Sequence, residues 1–294
     1  MKTIGIIANL NKNGAAKVVA EVSDWLKERG VTPLITEDCA SAINSDVCTA
    51  LDSEELVKQA DALVVFGGDG SVLRVSHIPG ITNLPILAVN MGGLGFLTEV
   101  AQDELYIALT KVLEGDYQLD ERMMLRARLY KPDSTELEAE RIALNDAVIN
   151  KGAFSRVIWL ESYIDDEYMA TVNGDGLIVS TPSGCTAYSL SAGGPIVCPN
   201  LNVFILTYIC PHTLTFRPQI VPAESKISIV IKSLHSNILL AIDGQEGFNL
   251  EPNSVIEIDK APETIKLIRS LKRSYYEVLR TKLKWGETVK KLED

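Results

Sequence analysis

Along the first 120 residues, apolar positions alternate between two rhythms. Mostly apolar runs at residues 2–8 (KTIGIIA), 31–36 (VTPLIT), 61–66 (DALVVF) and 84–89 (LPILAV) read as buried strands. Between them, apolar residues recur three and four positions apart. Ala15, Val18, Val19, Val22, Trp25 and Leu26 predict a helix over 15–28, with Gly30 as its stop. Residues 53–60 predict a short helix with Ser53 as N-cap, SVLRVSH begins another at Ser71, and residues 103–114 predict a third that ends at Gly115. The polar stretch with Cys39, Ser41, Asn44, Ser45 and Asp46 reads as a loop. Strands and helices in alternation predict a parallel sheet covered on both faces, a Rossmann-like α/β domain.

From Arg122 the pattern becomes alternation of apolar and polar positions. Residues 124–131 and 135–144 form one predicted hairpin, and 155–165 and 167–173 another around Asp165 and Asp166. Further strands are expected at 176–181, 202–209, 226–233, 237–243 and 254–259. This predicts an all-β sandwich over residues 122–270. Residues 274–285 return to helical spacing, and Ser274 with Glu277 has the separation of a capping box. The chain is therefore divided into an α/β domain, residues 1–121 joined by 271–294, and the all-β domain.

Composition narrows the function. The 294 residues are 46% hydrophobic and 23% charged, ordinary globular values, with a formal net charge of −11. That charge argues against nucleic-acid partners and against a polybasic membrane anchor. Phosphates would have to be bound locally, by backbone N–H groups, a few cations and metal ions. The longest apolar stretch, residues 201–210, is about half the ~20 residues of a membrane helix, and no secretion signal is visible. Five scattered cysteines and the distant His77, His212 and His235 predict reduced thiols, no zinc cluster and a cytoplasmic location.

The candidate chemistry lies in glycine-rich strand ends. FGGDGS (66–71) and NMGGLGF (90–96) each follow a predicted strand of one parallel sheet. Glycines there let backbone N–H groups approach phosphate oxygens, and a following helix adds its positive end. Asp69 puts a negative charge into that cradle. It is suited to accept a proton from an attacking hydroxyl or to hold Mg2+ against phosphates, and equally to cap the next helix. Arg74, one turn on, is a candidate for facing the phosphates and equally for a solvated position. A third cluster, GDGLIVSTPSGCTAYSLSAGG (174–194), sets Ser183, Thr186 and Tyr188 at a strand end and helix start, with Asp175 before the strand. Those groups can hydrogen-bond a ribose or amide and stack a ring, or form a capped polar turn.

With these segments in order, the chain closely resembles the NAD kinase family. The matching stretches are GGDGS (67–71), NMGGLGFLTEV (90–100), LNDAVI (144–149), DGLIVSTPSGCTAYSLSAGGPIV (175–197), ICPHTLTFRP (209–218) and DGQ (243–245). The resemblance implies the NAD kinase fold and phosphoryl transfer from ATP, or also inorganic polyphosphate, to the 2′-hydroxyl of the adenosine ribose of NAD+. It implies Mg2+ or another divalent metal, arriving with the donor phosphates and not on a fixed protein ligand. It also implies a homodimer or homotetramer. Asp69 matches the general base. Gly67, Gly68, Gly70 and Ser71 match the donor-phosphate segment, and Asp69 and Gly70 also border NAD. Phe96 matches a position near the adenine, and Asn145 and Asp146 a pair, usually Asn-Glu, at the ribose and adenine. Asp175 matches a carboxylate for the nicotinamide end. Ser183, Thr186, Ala187 and Tyr188 match pocket-lining positions, and Asp243, in the matching DGQ turn, is also expected at the NAD site. Departures from the family pattern are Ser71, Asp146, Cys185, Phe216 and Asn173. Cys185 is a weak donor open to modification. Asn173 stands where several relatives carry a basic residue toward the 2′-phosphate. A lipid kinase would share GGDG but needs no TAYSLSAGG segment, and a non-catalytic NADP(H) sensor would gain nothing from Asp69.

Overall fold

The computed structural model describes residues 1–43, 48–152, 156–233, 237–270 and 272–285. The chain divides into two compact units, Met1–Glu121 with Ile265–Asp294, and Arg122–Thr264. In chain order the first contains β1 (Thr3–Ala8), α1 (Ala15–Lys27), β2 (Thr32–Thr36), α2 (Glu37–Ile43), β3 (Thr49–Leu51), α3 (Ser53–Gln59), β4 (Ala62–Gly67), α4 (Asp69–Ser76), β5 (Pro85–Asn90), β6 (Val100–Ala101) and α5 (Leu105–Glu114). The parallel strands run in the order β3-β2-β1-β4-β5. Every residue of β4 is buried, as a central strand covered on both faces requires. Helix α1 turns Ala15, Val19, Val22 and Leu26 inward, a single stripe at helical spacing. The strand order reverses between β1 and β4, so the crevice at their carboxyl ends is where such a sheet receives a ligand. Asn9, just past β1, donates its N–H to Phe66 O at 2.8 Å there.

Three local expectations are corrected. Residues 37–43 form a helix, not a loop: Glu37 and Asp38 suit the positive end of α2, and buried Cys39 with Ile43 supplies an apolar pair at i, i+4. Asn44, Ser45 and Asp46 of the expected loop lie outside the described residues, as does His235. The cap of α3 is Asp52, not Ser53; its carboxylate accepts the N–H of Glu54 at 3.0 Å and of Glu55 at 2.9 Å. Helix α4 starts at Asp69 itself, two residues earlier than its apolar pattern suggests.

The second unit is built from β7 (Leu119–Tyr130), β8 (Leu137–Ala143), β9 (Asp146–Lys151), β10 (Ile158–Ile164), β11 (Glu167–Gly174), β12 (Gly176–Ser180), α6 (Tyr188–Ser191), β13 (Val203–Ile209), β14 (Gln219–Pro222), β15 (Ile227–Ile231), β16 (Ile238–Ile242), β17 (Glu246–Leu250) and β18 (Val255–Ile268). Six antiparallel strands make one sheet, in the order β14-β13-β12-β9-β16-β17. The facing layer pairs β11-β10-β15-β18, with β7 and β8 beyond. One core joins them, with Leu177, Val179, Phe204 and Leu206 from the first and Leu160, Ile227, Ile229 and Ile256 from the second. Asp165 and Asp166 both take positive φ, 51° and 66°, the conformation a two-residue hairpin needs. Strands β14 and β17 escape the apolar pattern because Gln219, Pro222, Glu246, Gly247 and Asn249 are poor strand formers. The apolar run at 201–210 supplies β13, a buried strand. Among the described residues, no helix is long and apolar enough to cross a membrane. The last helix among the described residues is α7 (Tyr275–Leu283), capped as its sequence predicts by Ser274 and Glu277. This helix belongs to the first unit, as do Lys266 and Leu267, which pair in parallel with Pro85 and Ile86 of β5.

Candidate functional site

In the first unit the polar groups converge on Asp69. Its Oδ1 accepts the N–H of Leu97 at 2.9 Å, the N–H of Thr98 at 3.1 Å and the Thr98 hydroxyl at 3.1 Å. Its Oδ2 accepts the Phe96 N–H at 2.9 Å. Thr98 is oriented in turn by the buried Asn90, whose amide donates to Thr98 Oγ1 at 2.8 Å while its Oδ1 takes the Gly92 N–H at 2.6 Å. A carboxylate offers about two lone pairs per oxygen. Oδ1 is therefore filled, and Oδ2 keeps acceptor capacity for an incoming hydroxyl. Asn90, Gly95 and Thr98 lie inside the 90–100 stretch, but the motif reading gives none of them a role of its own toward Asp69. The charge of Asp69 is the signal that finds them, since a carboxylate in a glycine-rich loop needs donors.

The glycines separate into two groups. A Cβ on Gly95 would stand 2.0 Å from Asp69 Oδ1, and one on Gly67 would stand 2.0 Å from Ser71 Oγ. These two make room for the protein's own side chains, and Ser71 is buried with its hydroxyl against Gly67. A Cβ on Gly68 or Gly70 would meet nothing within 4 Å. Gly68 is extended, with φ −125°, so neither space nor backbone conformation requires glycine there. What remains is an open backbone surface at the start of an eight-residue helix, fit for phosphate oxygens. Arg74 is exposed and lines a cavity of about 440 Å³ with Thr36, Glu37, Asp38, Asp52 and Ser53, a lining that includes none of residues 67–71.

In the second unit, Asp243 gathers a loop. Its Oδ2 accepts the N–H of Leu144 at 2.8 Å, and its Oδ1 those of Asn145 at 2.8 Å and Asp146 at 2.9 Å. Its own N–H returns to Asp146 O at 2.9 Å, and it sits in a turn at φ 50°. The loop is pinned from the other side by Thr181, whose hydroxyl donates to Leu144 O and whose N–H donates to Asn145 O. Gly184 packs so closely that a Cβ would stand 2.2 Å from Asn145 O. Asn145 and Asp146 are both buried, and Asn145 Oδ1 has no hydrogen-bond partner. Burial, with the charge of Asp243 adding to it, pushes the Asp146 carboxyl up to about 7. A buried unmet acceptor beside a carboxyl that can hold a proton is an arrangement suited to a polar ligand edge.

The rest of the 174–194 segment is distributed along this loop's neighbourhood and its strand. Ser183 is buried and accepts from Arg122 Nη1 at 3.3 Å; Thr186 donates to Ser183 O at 3.3 Å; Ala187 is half-buried, and Tyr188 is exposed. Asp175, at the far end of β12, is ion-paired with Lys151 at 3.1 Å. Cys185 is fully buried, taking the Val197 N–H at 3.2 Å and facing Val197 O at 3.5 Å, and burial pushes its thiol up. It therefore serves as an internal backbone partner, which its exposure-free position makes a poor target for modification. Phe216 packs edge-on against Tyr208, with centroids 4.7 Å apart, and Asn173 O accepts the His212 N–H at 2.9 Å.

Comparison with known proteins matches these units in order. Residues 4–117 fit the ATP-NAD kinase N-terminal domain, and residues 144–270 fit the ATP-NAD kinase C-terminal domain. The chain is 44% identical to an NAD kinase of Geotalea daltonii over 287 residues, 98% of this chain and 100% of that one. It is also 44% identical to an NAD kinase of Moorella thermoacetica over 286 residues, covering 97% and 90%. Yeast NADH kinase, solved with NADH, superimposes with a TM-score of 0.88 at 25% identity, over 97% of this chain and 88% of that one. An Archaeoglobus fulgidus NAD kinase solved with ATP shares the fold, with a TM-score of 0.72 at 24% identity over 97% and 99%. Two domain matches in sequence order and full-length identity to enzymes of one kind decide the assignment: the chain belongs to the NAD kinase family.

Proposed function

We propose that this protein transfers a phosphoryl group from ATP to the 2′-hydroxyl of the adenosine ribose of NAD+, with Asp69 as general base. The observation that supports this reading most is the state of Asp69: a half-buried carboxylate locked by four donors, with acceptor capacity left on Oδ2 alone. A group that served only to cap α4 would need no such brace. Fixed in this way, Oδ2 orients the acceptor hydroxyl and takes its proton as the bond to phosphorus forms. The open backbone at Gly68 and Gly70 is assigned to the donor phosphates; Arg74, which shares its cavity with Glu37, Asp38 and Asp52, is left out of that assignment. Among the described residues, no three His, Cys, Asp or Glu side chains gather to hold an ion. Mg2+ is assigned to the donor phosphates on the family pattern, where it would supply charge neutralisation on the transferred group.

Asn145, Asp146, Ser183, Thr186, Ala187 and Tyr188 are assigned to the dinucleotide, Phe96 to its adenine and Asp175 to its nicotinamide end. Asp243 is the brace of the 144–146 loop. A cytoplasmic homodimer or homotetramer is the assembly we assign, on the family pattern. The test is a coupled NADP+-forming assay with purified protein, titrating NAD+ and NADH against ATP and polyphosphate. Turnover of NAD+ with ATP is the expected result. Phosphorylation of a diacylglycerol or sphingosine instead, or NADP(H) binding without turnover, would sink the reading.

A further inference from the structure

Helix α7 reaches back to the loop that holds Asp69. Its start is fixed: Arg273 donates to Glu99 O at 3.0 Å and pairs with Glu104 at 3.4 Å, and Val278 and Leu279 are buried. Thr281 lines a cavity of about 510 Å³ with Asn90, Gly92 and Leu94. One residue on, the exposed Lys282 places its ammonium 5.8 Å from the centre of the Phe96 ring. Phe96 is the residue whose N–H holds Asp69 Oδ2, the oxygen with capacity for an acceptor hydroxyl. Lys282 has no acidic partner among the described residues, unlike Arg273, which is committed to Glu104.

A phosphate formed on a hydroxyl beside Asp69 appears next to a fixed negative charge. In a chain of net charge −11, that product needs a cation close by. We propose that Lys282 is a specificity-determining residue of the acceptor side: it meets the phosphate formed on the dinucleotide and sets the affinity for NADP+ relative to NAD+. This rests on the kinase reading above. An exposed cation on an aromatic face is held only weakly, so the ammonium leaves the ring at little cost. Its four-carbon stem is flexible, so the ammonium can change position. The same charge adds nothing to an unphosphorylated ribose, which makes the effect a ratio and not a general gain in binding.

The experiment is calorimetric binding of NADP+ and NAD+ to the full-length wild type and to Lys282→Met, Lys282→Ala and Lys282→Arg, with turnover and KM for ATP measured alongside. Methionine keeps a stem over Phe96 without the charge. The preference for NADP+ over NAD+ is expected to fall about fivefold in the Met and Ala variants, the size of an exposed ion pair, and to return in the Arg variant. An unchanged ratio, an equal loss for both dinucleotides, or a rise confined to KM for ATP would overturn the assignment. Absence of wild-type turnover would refute the kinase reading separately, because the affinity ratio is read without turnover.

Discussion

Asp69 in the first unit and Asp243 in the second are held by the same device. Each carboxylate takes three consecutive backbone N–H groups from a distant loop, one on Oδ2 and two on Oδ1: residues 96–98 for Asp69 and 144–146 for Asp243. The surroundings differ. Asp243 is only 6% exposed and its own N–H closes the bond pattern back onto Asp146, so its acceptor power is spent inside the protein. Asp69 is half-buried at a helix start, gains a fourth donor from Thr98, and keeps Oδ2 open on one side. A carboxylate gripped by backbone is thus a brace when buried and a pre-oriented acceptor when one edge reaches a ligand surface.

The same substitution at the two positions should break in opposite ways. Asp69→Asn removes the proton acceptor. Steady-state kinetics should show kcat lower by about 10²–10⁴-fold, while NAD+ still binds in a calorimetric titration. Near-normal kcat in this variant would remove Asp69 from the chemistry. At Asp243 the readout is stability. The asparagine offers one acceptor oxygen and one amide nitrogen to three N–H groups, and it loses the charge that strengthens them. Chemical denaturation should show a loss of about 2–4 kcal/mol in Asp243→Asn. If instead that variant kept its stability and lost turnover, the distinction between brace and acceptor would collapse.

Much of this contrast is legible in the sequence, and the reasons are physical. Strands β1, β4 and β5 announce themselves because burial on both faces leaves polar residues only at strand ends, Thr3 in β1 and Asn90 in β5. Asp69 stands out because its charge conflicts with a phosphate cradle. Its partners are less visible. Gly95 reads as one more phosphate-loop glycine, yet its missing Cβ makes room for the Asp69 carboxylate, a contact across 26 positions that no local pattern encodes. The role of Asp243 depends on a loop almost 100 positions earlier, and that pairing exists only once β9 and β16 lie side by side. Helix α2 is lost in a polar stretch because its anchors, Cys39 and Ile43, are too few to outweigh their neighbours. Lys282 carries no motif at all.

The smallest expected effect probes what the Asp243 brace does to its neighbour. Asp146 is pushed up to about 7 by burial first and by the Asp243 charge second. Its ordinary value is 3.8, so between roughly pH 4 and 7 the folded chain holds a proton that the unfolded chain has released. The stabilising contribution of that proton is complete below pH 4 and is lost as pH rises through 7. Between pH 6 and 7 the wild type should therefore lose about 1 kcal/mol of unfolding free energy from this group. In Asp146→Asn, denaturation midpoints at pH 6, 7 and 8 should lack that slope. Asp243→Asn should weaken it without abolishing it, because desolvation persists after the neighbouring charge is gone. A slope that survives Asp146→Asn would place the proton elsewhere. One that vanishes in Asp243→Asn would mean that the charge of the brace, and not burial, keeps Asp146 protonated.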